Sequence, residues 1–156
     1  MSYFSERSPA SLPDTEFRCS LPAIGRQLGN PLIDEQHRQL MTIVNDLLDA
    51  CRQSRIEQLE HVLAFLRYYT AKHFFDEEVL QIQYGYPGYA NHRIYHEEFK
   101  KTIHDFIGEL KENGPGDELA GRVTVCVKNW LLNHIFSEDM KLVRHIDEQM
   151  KTAVSA

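Results

Sequence analysis

The segment from His73 to His96 reads HFFDEEVLQIQYGYPGYANHRIYH. It opens with His-x-x-x-Glu (His73, Glu77) and closes with His-x-x-x-His (His92, His96). Residues four apart lie on one face of an α-helix, one turn above the other. Between the pairs stands Tyr84-Gly85-Tyr86-Pro87-Gly88-Tyr89, a run that no helix would pass through. The spacing therefore predicts two helices turned back on each other, each aiming two metal-competent side chains the same way. Imidazole and carboxylate together suit a transition-metal cation.

Three further residues belong with these four because of where apolar periodicity places them. A first helix is predicted from the cap pair Asn30-Pro31, with Asp34 as a rival cap, to about Arg52. Its stripe of Leu40, Met41, Val44, Leu47, Leu48 and Cys51 extends back to His37. The second helix, about Arg55 to Tyr84, has the stripe Leu59, Leu63, Leu66, Thr70, His73, Glu77 and Leu80. Asp76 and Glu78 fall off it and read as solvated charge. A third helix is capped by Asn91, aligns His92, His96, Phe99, Ile103, Phe106 and Leu110, and stops at Asn113-Gly114-Pro115-Gly116. A fourth, capped by Asp117, aligns Val123, Val127, Trp130 and His134. Asp139 follows, and then a short amphipathic segment, Leu142, Val143, Ile146 and Met150, that either continues the fourth helix or breaks and packs on the bundle.

Four amphipathic helices with short connections predict an all-α, antiparallel up-down four-helix bundle. Residues 1–20, rich in Ser, Pro and charge, read as an N-terminal arm; 21–150 read as the bundle with its short C-terminal helix, and 151–156 as a frayed tail. At 156 residues the chain can bury a core without disulfides. Cys19, Cys51 and Cys126 are odd in number and lack C-x-x-C spacing, which suits free thiols in a reducing compartment. A net charge of −6 without a basic stripe argues against nucleic acid and against anionic membrane surfaces. With no apolar signal region and no membrane-length run, a cytoplasmic protein is expected.

A lone histidine on an apolar face is more often a hydrogen-bonded core residue than a ligand. Seven such groups in one bundle are different: each left unsatisfied would cost about 1–3 kcal/mol, and an unpaired carboxylate more. A metal removes the penalty from all of them together. Five imidazoles and two carboxylates exceed the four ligands of zinc, which in structural sites usually include Cys. Two ions fit better. If Glu77 and Asp139 each bridge, histidines and carboxylates supply nine bonds, and a bridging oxo or hydroxo group brings the total to eleven. Two octahedral ions offer twelve positions, so one stays open for a small molecule; iron suits the donors, with manganese and cobalt as alternatives. One spacing resists this scheme. His134 and Asp139 are five apart, about 140° around an ideal helix, so either Asp139 reaches around or the helix deforms near Ser137.

Ile33-Asp34-Glu35-Gln36-His37, His73-Phe74-x-x-Glu77, His92-x-x-x-His96 and Trp130-Leu131-x-x-His134-x-x-x-x-Asp139 resemble, in order and spacing, the hemerythrin family, in particular its single-domain bacterial members. The resemblance covers residues 30–145. It implies a non-haem di-iron centre with a bridging oxo or hydroxo group. His37 and His73 would ligate one iron, His92, His96 and His134 the other, and Glu77 and Asp139 would bridge. The open position then falls on the two-histidine iron, where family members bind O2 end-on. An apolar lining follows from that role, with Leu40, Phe74, Trp130, Leu131 and Ile135 as its candidates. Bacterial members often carry a Trp in the arm where Leu21 and Pro22 stand here.

Reversible O2 binding for storage, delivery or transport is the expected function, by a binding protein rather than an enzyme. The alternatives are an O2, redox or NO sensor acting on a partner, and a di-iron peroxidase or iron oxidase. Oxygen-activating di-iron bundles use carboxylate-rich sites with paired Glu-x-x-His motifs. Here histidines outnumber carboxylates, which stabilises high-valent iron less. NO, peroxide and azide are further ligands such a site would accept, and a monomer or weak oligomer is expected.

Overall fold

The computed structural model describes residues 27–53 and 55–155, with only the backbone at Cys51, Arg52 and Ile56. The arm expected over 1–20, and Leu21 and Pro22, lie outside the described residues. The helices are α1 (Pro31–Arg52), α2 (Ile56–Gln83), α3 (Tyr89–Asn113), α4 (Asp117–His134) and α5 (Met140–Val154), with a single π-helical turn, Ile135–Asp139, between the last two. No strand occurs among the described residues. α1 packs on α2, α2 on α3, α3 on α4, and α4 returns to α1. Short connections force neighbours to run antiparallel, so the ring closes as an up-down four-helix bundle. No described helix is long and apolar enough to cross a membrane.

The start of α1 is fixed from both sides. The Asn30 side-chain oxygen accepts from the Leu32 and Ile33 amides at 3.1 and 3.2 Å. Asp34 reaches back to accept from the Leu28 and Gly29 amides at 2.6 and 3.0 Å. The two rival caps therefore act together, each satisfying donors the other cannot reach. The other starts differ from expectation. Asn91 and Asp117 do not cap: α3 begins two residues earlier, after Gly88, and α4 begins at Asp117 itself, after Gly116. The tight turns fall where glycine is needed, with Gly85 at φ 59° and Gly114 at φ 72°.

The last helix does not break. Backbone angles stay helical through His134, Ile135, Asp139 and Met140, and the Met140 amide donates to the Ile135 carbonyl, five residues back. α4, the π turn and α5 form one continuous rod. Residues 151–154, expected to fray, are its last turn.

Two apolar layers stack along the bundle axis. The larger holds Leu40, Val44 and Leu47 of α1, Leu59, Leu63 and Leu66 of α2, Phe99 and Ile103 of α3, and Val123, Val127 and Leu131 of α4. The smaller joins Ile33 to Leu142, Val143 and Ile146, with Leu80, Tyr84 and Tyr86 against them. Beside the larger layer every helix of the bundle presents a polar step: His37 on α1, His73 and Glu77 on α2, His92 and His96 on α3, His134 and Asp139 on the last rod. His145 fastens the far end, its Nε2 donating to the Tyr84 carbonyl at 2.8 Å. Truncating the larger layer tests this packing. Leu63→Ala should cost about 2–5 kcal/mol, read from urea midpoints at unchanged slope; a loss under about 1 kcal/mol would contradict the close packing of α2.

Candidate metal centre

The seven predicted residues meet in the polar step. Ligand atoms of Glu77, His92, His96, His134 and Asp139 lie within 4.8 Å of one another, as do those of His37, His73, Glu77 and Asp139. All seven side chains are buried, and both carboxylates have no solvent exposure. Glu77 and Asp139 belong to both groups, and each divides its oxygens between them. Glu77 Oε1 is 3.3 Å from His73 Nε2, while Oε2 is 3.2 Å from His96 Nε2 and 3.5 Å from His92 Nε2. Asp139 Oδ2 accepts from His37 Nε2 at 2.9 Å, while Oδ1 is 3.2 Å from His92 Nε2 and 3.0 Å from His134 Nε2.

The five-residue spacing of His134 and Asp139 is resolved by the π turn. In a π turn the backbone bonds i to i+5, so one circuit takes in an extra residue. Residues five apart then return to one face. An unbroken α-helix would have swung Asp139 out of the bundle; the inserted residue turns it back.

Around the seven stands a set of residues that hold the rings in place. His73 Nδ1 donates to the Gln36 amide oxygen at 2.8 Å, and Gln36 Nε2 donates to Asp76 at 2.5 Å. His96 Nδ1 donates to Glu78 Oε1 at 3.0 Å. Each bond fixes the tautomer and turns the Nε2 lone pair inward, as outer partners of metal-binding histidines do. Asp76 and Glu78, expected to be merely solvated, thus support the site. Helical period sorts residues into inside and outside, and both lie at the boundary, where a carboxylate can reach a ring edge. Only their position beside His73 and Glu77 could have signalled it. Gln81, one turn beyond Glu77, is also fully buried, and neither of its amide atoms has a partner among the described residues.

Aromatic rings close one side. Phe74 stacks on His96 at 3.9 Å between centroids, and Trp130 on His134 at 4.4 Å. Both therefore pack on the three-histidine group; Phe74 also meets His73 at 5.7 Å. Leu40, Leu131 and Ile135 are buried in the larger apolar layer.

The donor set fits a bound cation. Both Glu77 oxygens and Asp139 Oδ1 receive no hydrogen bond, although imidazole nitrogens stand 3.0–3.5 Å away without the alignment one requires. His134 Nε2 is 3.0 Å from His92 Nε2 and 3.1 Å from His96 Nε2. Donors about 2.1 Å from a cation stand about 3.0 Å apart at right angles and about 3.4 Å apart at tetrahedral angles. The donor separations in the cluster, 3.0–3.5 Å, span this range, as donors around a shared cation do.

Without a cation, protons take its place. Burial opposes a charged His92, but the neighbouring Asp139 and Glu77 carboxylates outweigh it and lift the imidazole to about 9. Burial likewise opposes charge on His37, and Asp139 again raises it above the ordinary value. Burial dominates at His73, pushing it down to about 4. Burial and Asp139 work against the charged form of Glu77, yet the surrounding imidazoles hold it at about 2, and Asp139 lies well below its ordinary value for the same reason. A metal entering this cluster must displace the His92 proton. Uptake should therefore strengthen by at least about tenfold per pH unit as pH rises towards 9, and weaken correspondingly below. Anaerobic Fe(II) titration against a chromophoric chelator between about pH 6 and about pH 8 measures this; a flat profile would mean that no imidazole proton is displaced.

Comparison with known proteins agrees with this geometry. Residues 28–146 match the family model described as "Hemerythrin HHE cation binding domain". A bacteriohemerythrin of Pseudomonas aeruginosa is 30% identical over 127 residues, 81% of this chain and 80% of its own. A myohemerythrin of Sipunculus nudus is 34% identical over 111 residues, 70% of this chain and 79% of its own. Among solved structures, wild-type hemerythrin superposes with a TM-score of 0.62 at 25% identity, covering 70% of this chain and 82% of that one. The chain belongs to the hemerythrin family.

Proposed function

We propose that the chain holds two non-haem irons and binds O2 reversibly, for oxygen storage, delivery or transport. His37 and His73 would hold one iron, and His92, His96 and His134 the other. Glu77 and Asp139 would bridge them together with an oxo or hydroxo group. The observation that carries this reading is the division of each carboxylate, one oxygen towards each histidine group, with two imidazoles on one side and three on the other. When bound, the iron pair would supply the electrons for reversible O2 binding, with His37 and His73 offering fewer protein donors on their side than His92, His96 and His134 on theirs.

The chain's own residues set the conditions. Glu77 and Asp139 neutralise the cations where no water reaches. Gln36 and Glu78 fix the His73 and His96 rings, so that ligand atoms need not reorganise when the irons change charge. Phe74 and Trp130 shield the His96 and His134 rings, and Leu40, Leu131 and Ile135 keep the surroundings apolar, which disfavours entry of water and other nucleophiles. Comparison with bacteriohemerythrins and myohemerythrin supports the same assignment.

The purified, iron-loaded chain should contain about two irons, in line with the ligand count; one zinc per chain would end the di-iron reading. Stopped-flow mixing of the reduced protein with O2 should give a visible charge-transfer band that vanishes on deoxygenation. Rapid irreversible oxidation without such a band would instead favour the sensor, peroxidase or iron-oxidase alternatives. Glu77→Ala should lose iron as well as stability, and retention of both irons would contradict its bridging role.

A further inference from the structure

α2 has a second apolar face that the bundle leaves uncovered. Phe65, Tyr68, Phe75, Val79 and Ile82 are all large, and each is 45–67% exposed. With Lys72 among them they follow a 3-4-3-4-3 spacing, the a/d period of a helix seam. Leu63, Leu66, His73 and Glu77 occupy the opposite side of the same helix, so the stripe points directly away from the core. A helix apolar on both sides is normally buried on both sides, yet α1 and α3 flank α2 without covering this face.

We propose that the seam is the contact between two copies of this chain, paired antiparallel through α2. The spacing itself argues for a second copy. Read in either direction it is 3-4-3-4-3, so a two-fold axis between Lys72 and Phe75 makes the stripe complementary to itself, as an isologous interface requires. Phe65 of one copy then meets Ile82 of the other, Tyr68 meets Val79, and Lys72 lies over the Phe75 ring. A parallel pairing would instead set the two Lys72 ammonium groups side by side. Lys72 is the one charge within the stripe, and Asp76 already neutralises it at 2.7 Å. Copies with a net charge of −6 thus meet at a face that carries little of that charge.

The area is sufficient. An aromatic side chain buries 150–250 Å² when fully covered, so a half-exposed one offers roughly 100 Å². The five residues supply roughly 500 Å² per copy along a stripe about 26 Å long. Flanking positions, including the exposed Ala64 and Ala71 that permit close helix approach, bring the total towards the roughly 800 Å² per partner of a standard interface. The metal cluster lies on the other side of α2.

Sedimentation velocity of the iron-loaded full-length chain from about 1 µM to about 1 mM tests the proposal. A concentration-dependent dimer is expected. Tyr68→Glu and Val79→Lys should each weaken it at least tenfold. The double variant Tyr68→Glu/Val79→Lys should recover to within a few-fold of the original, because the antiparallel register sets the introduced carboxylate of each copy against the introduced ammonium of the other. Both positions being exposed, iron content and helical circular dichroism should stay unchanged in all three variants. A monomer at every concentration, as when residues 1–26 of the same chain cover the seam, would overturn the proposal. So would a dimer indifferent to the single substitutions, or a double variant as weak as either single one.

Discussion

Two carboxylates sit at zero exposure in the middle of a helical bundle, and the rest of the structure answers to them. An isolated buried carboxylate would take up a proton rather than stay charged. Glu77 and Asp139 remain anionic because five imidazoles surround them, drawn from all four helices. Charge balance is therefore a collective property. Remove one helix, and the remaining groups lose the partners that make their burial tolerable. The apolar layers on either side exclude the water that would otherwise compensate them, which raises the stakes of every missing ligand.

Much of this was legible in the sequence. A 3.6-residue period placed His37, His73, Glu77, His92, His96 and His134 in buried stripes, and their chemistry pointed to metal. Asp139 could be reached only as a conflict, since its spacing from His134 contradicts the period. The π turn resolves that conflict, but nothing in Ile135-Phe136-Ser137-Glu138 specifies it locally; the inward position of Asp139 among the histidines, with the packing of Leu142 and Ile146 beyond, goes with the extra residue. Gln36, Asp76 and Glu78 escaped for another reason. Their partners are ring edges on neighbouring helices, and no one-dimensional pattern encodes which boundary residue reaches across. Helix starts at Asn91 and Asp117 were misplaced because the glycine turns before them, not a side-chain cap, decide where those helices begin.

α2 shows how one helix can serve two surfaces. Apolar residues all around it blur the amphipathic signal by which a helix's inner face is normally recognised, and only its polar ligands marked that face clearly. The outer stripe obeys the same heptad logic as the inner one but has no polar interruption except an ion pair. A single helix thus carries the buried His73 and Glu77 on one side and an exposed apolar stripe on the other.

The clustered residues are spread from residue 37 to residue 139, with His134 and Asp139 on the rod that is synthesised after α1, α2 and α3. The α2–α3 hairpin can present His73, Glu77, His92 and His96 while later elements are still being made, yet it lacks Asp139. No cation can be fully coordinated until synthesis has passed the π turn and that rod has docked. Completion of the cluster in this way requires the chain to have reached Asp139, and a product that stops before it would be left with half a site and no means of closing it.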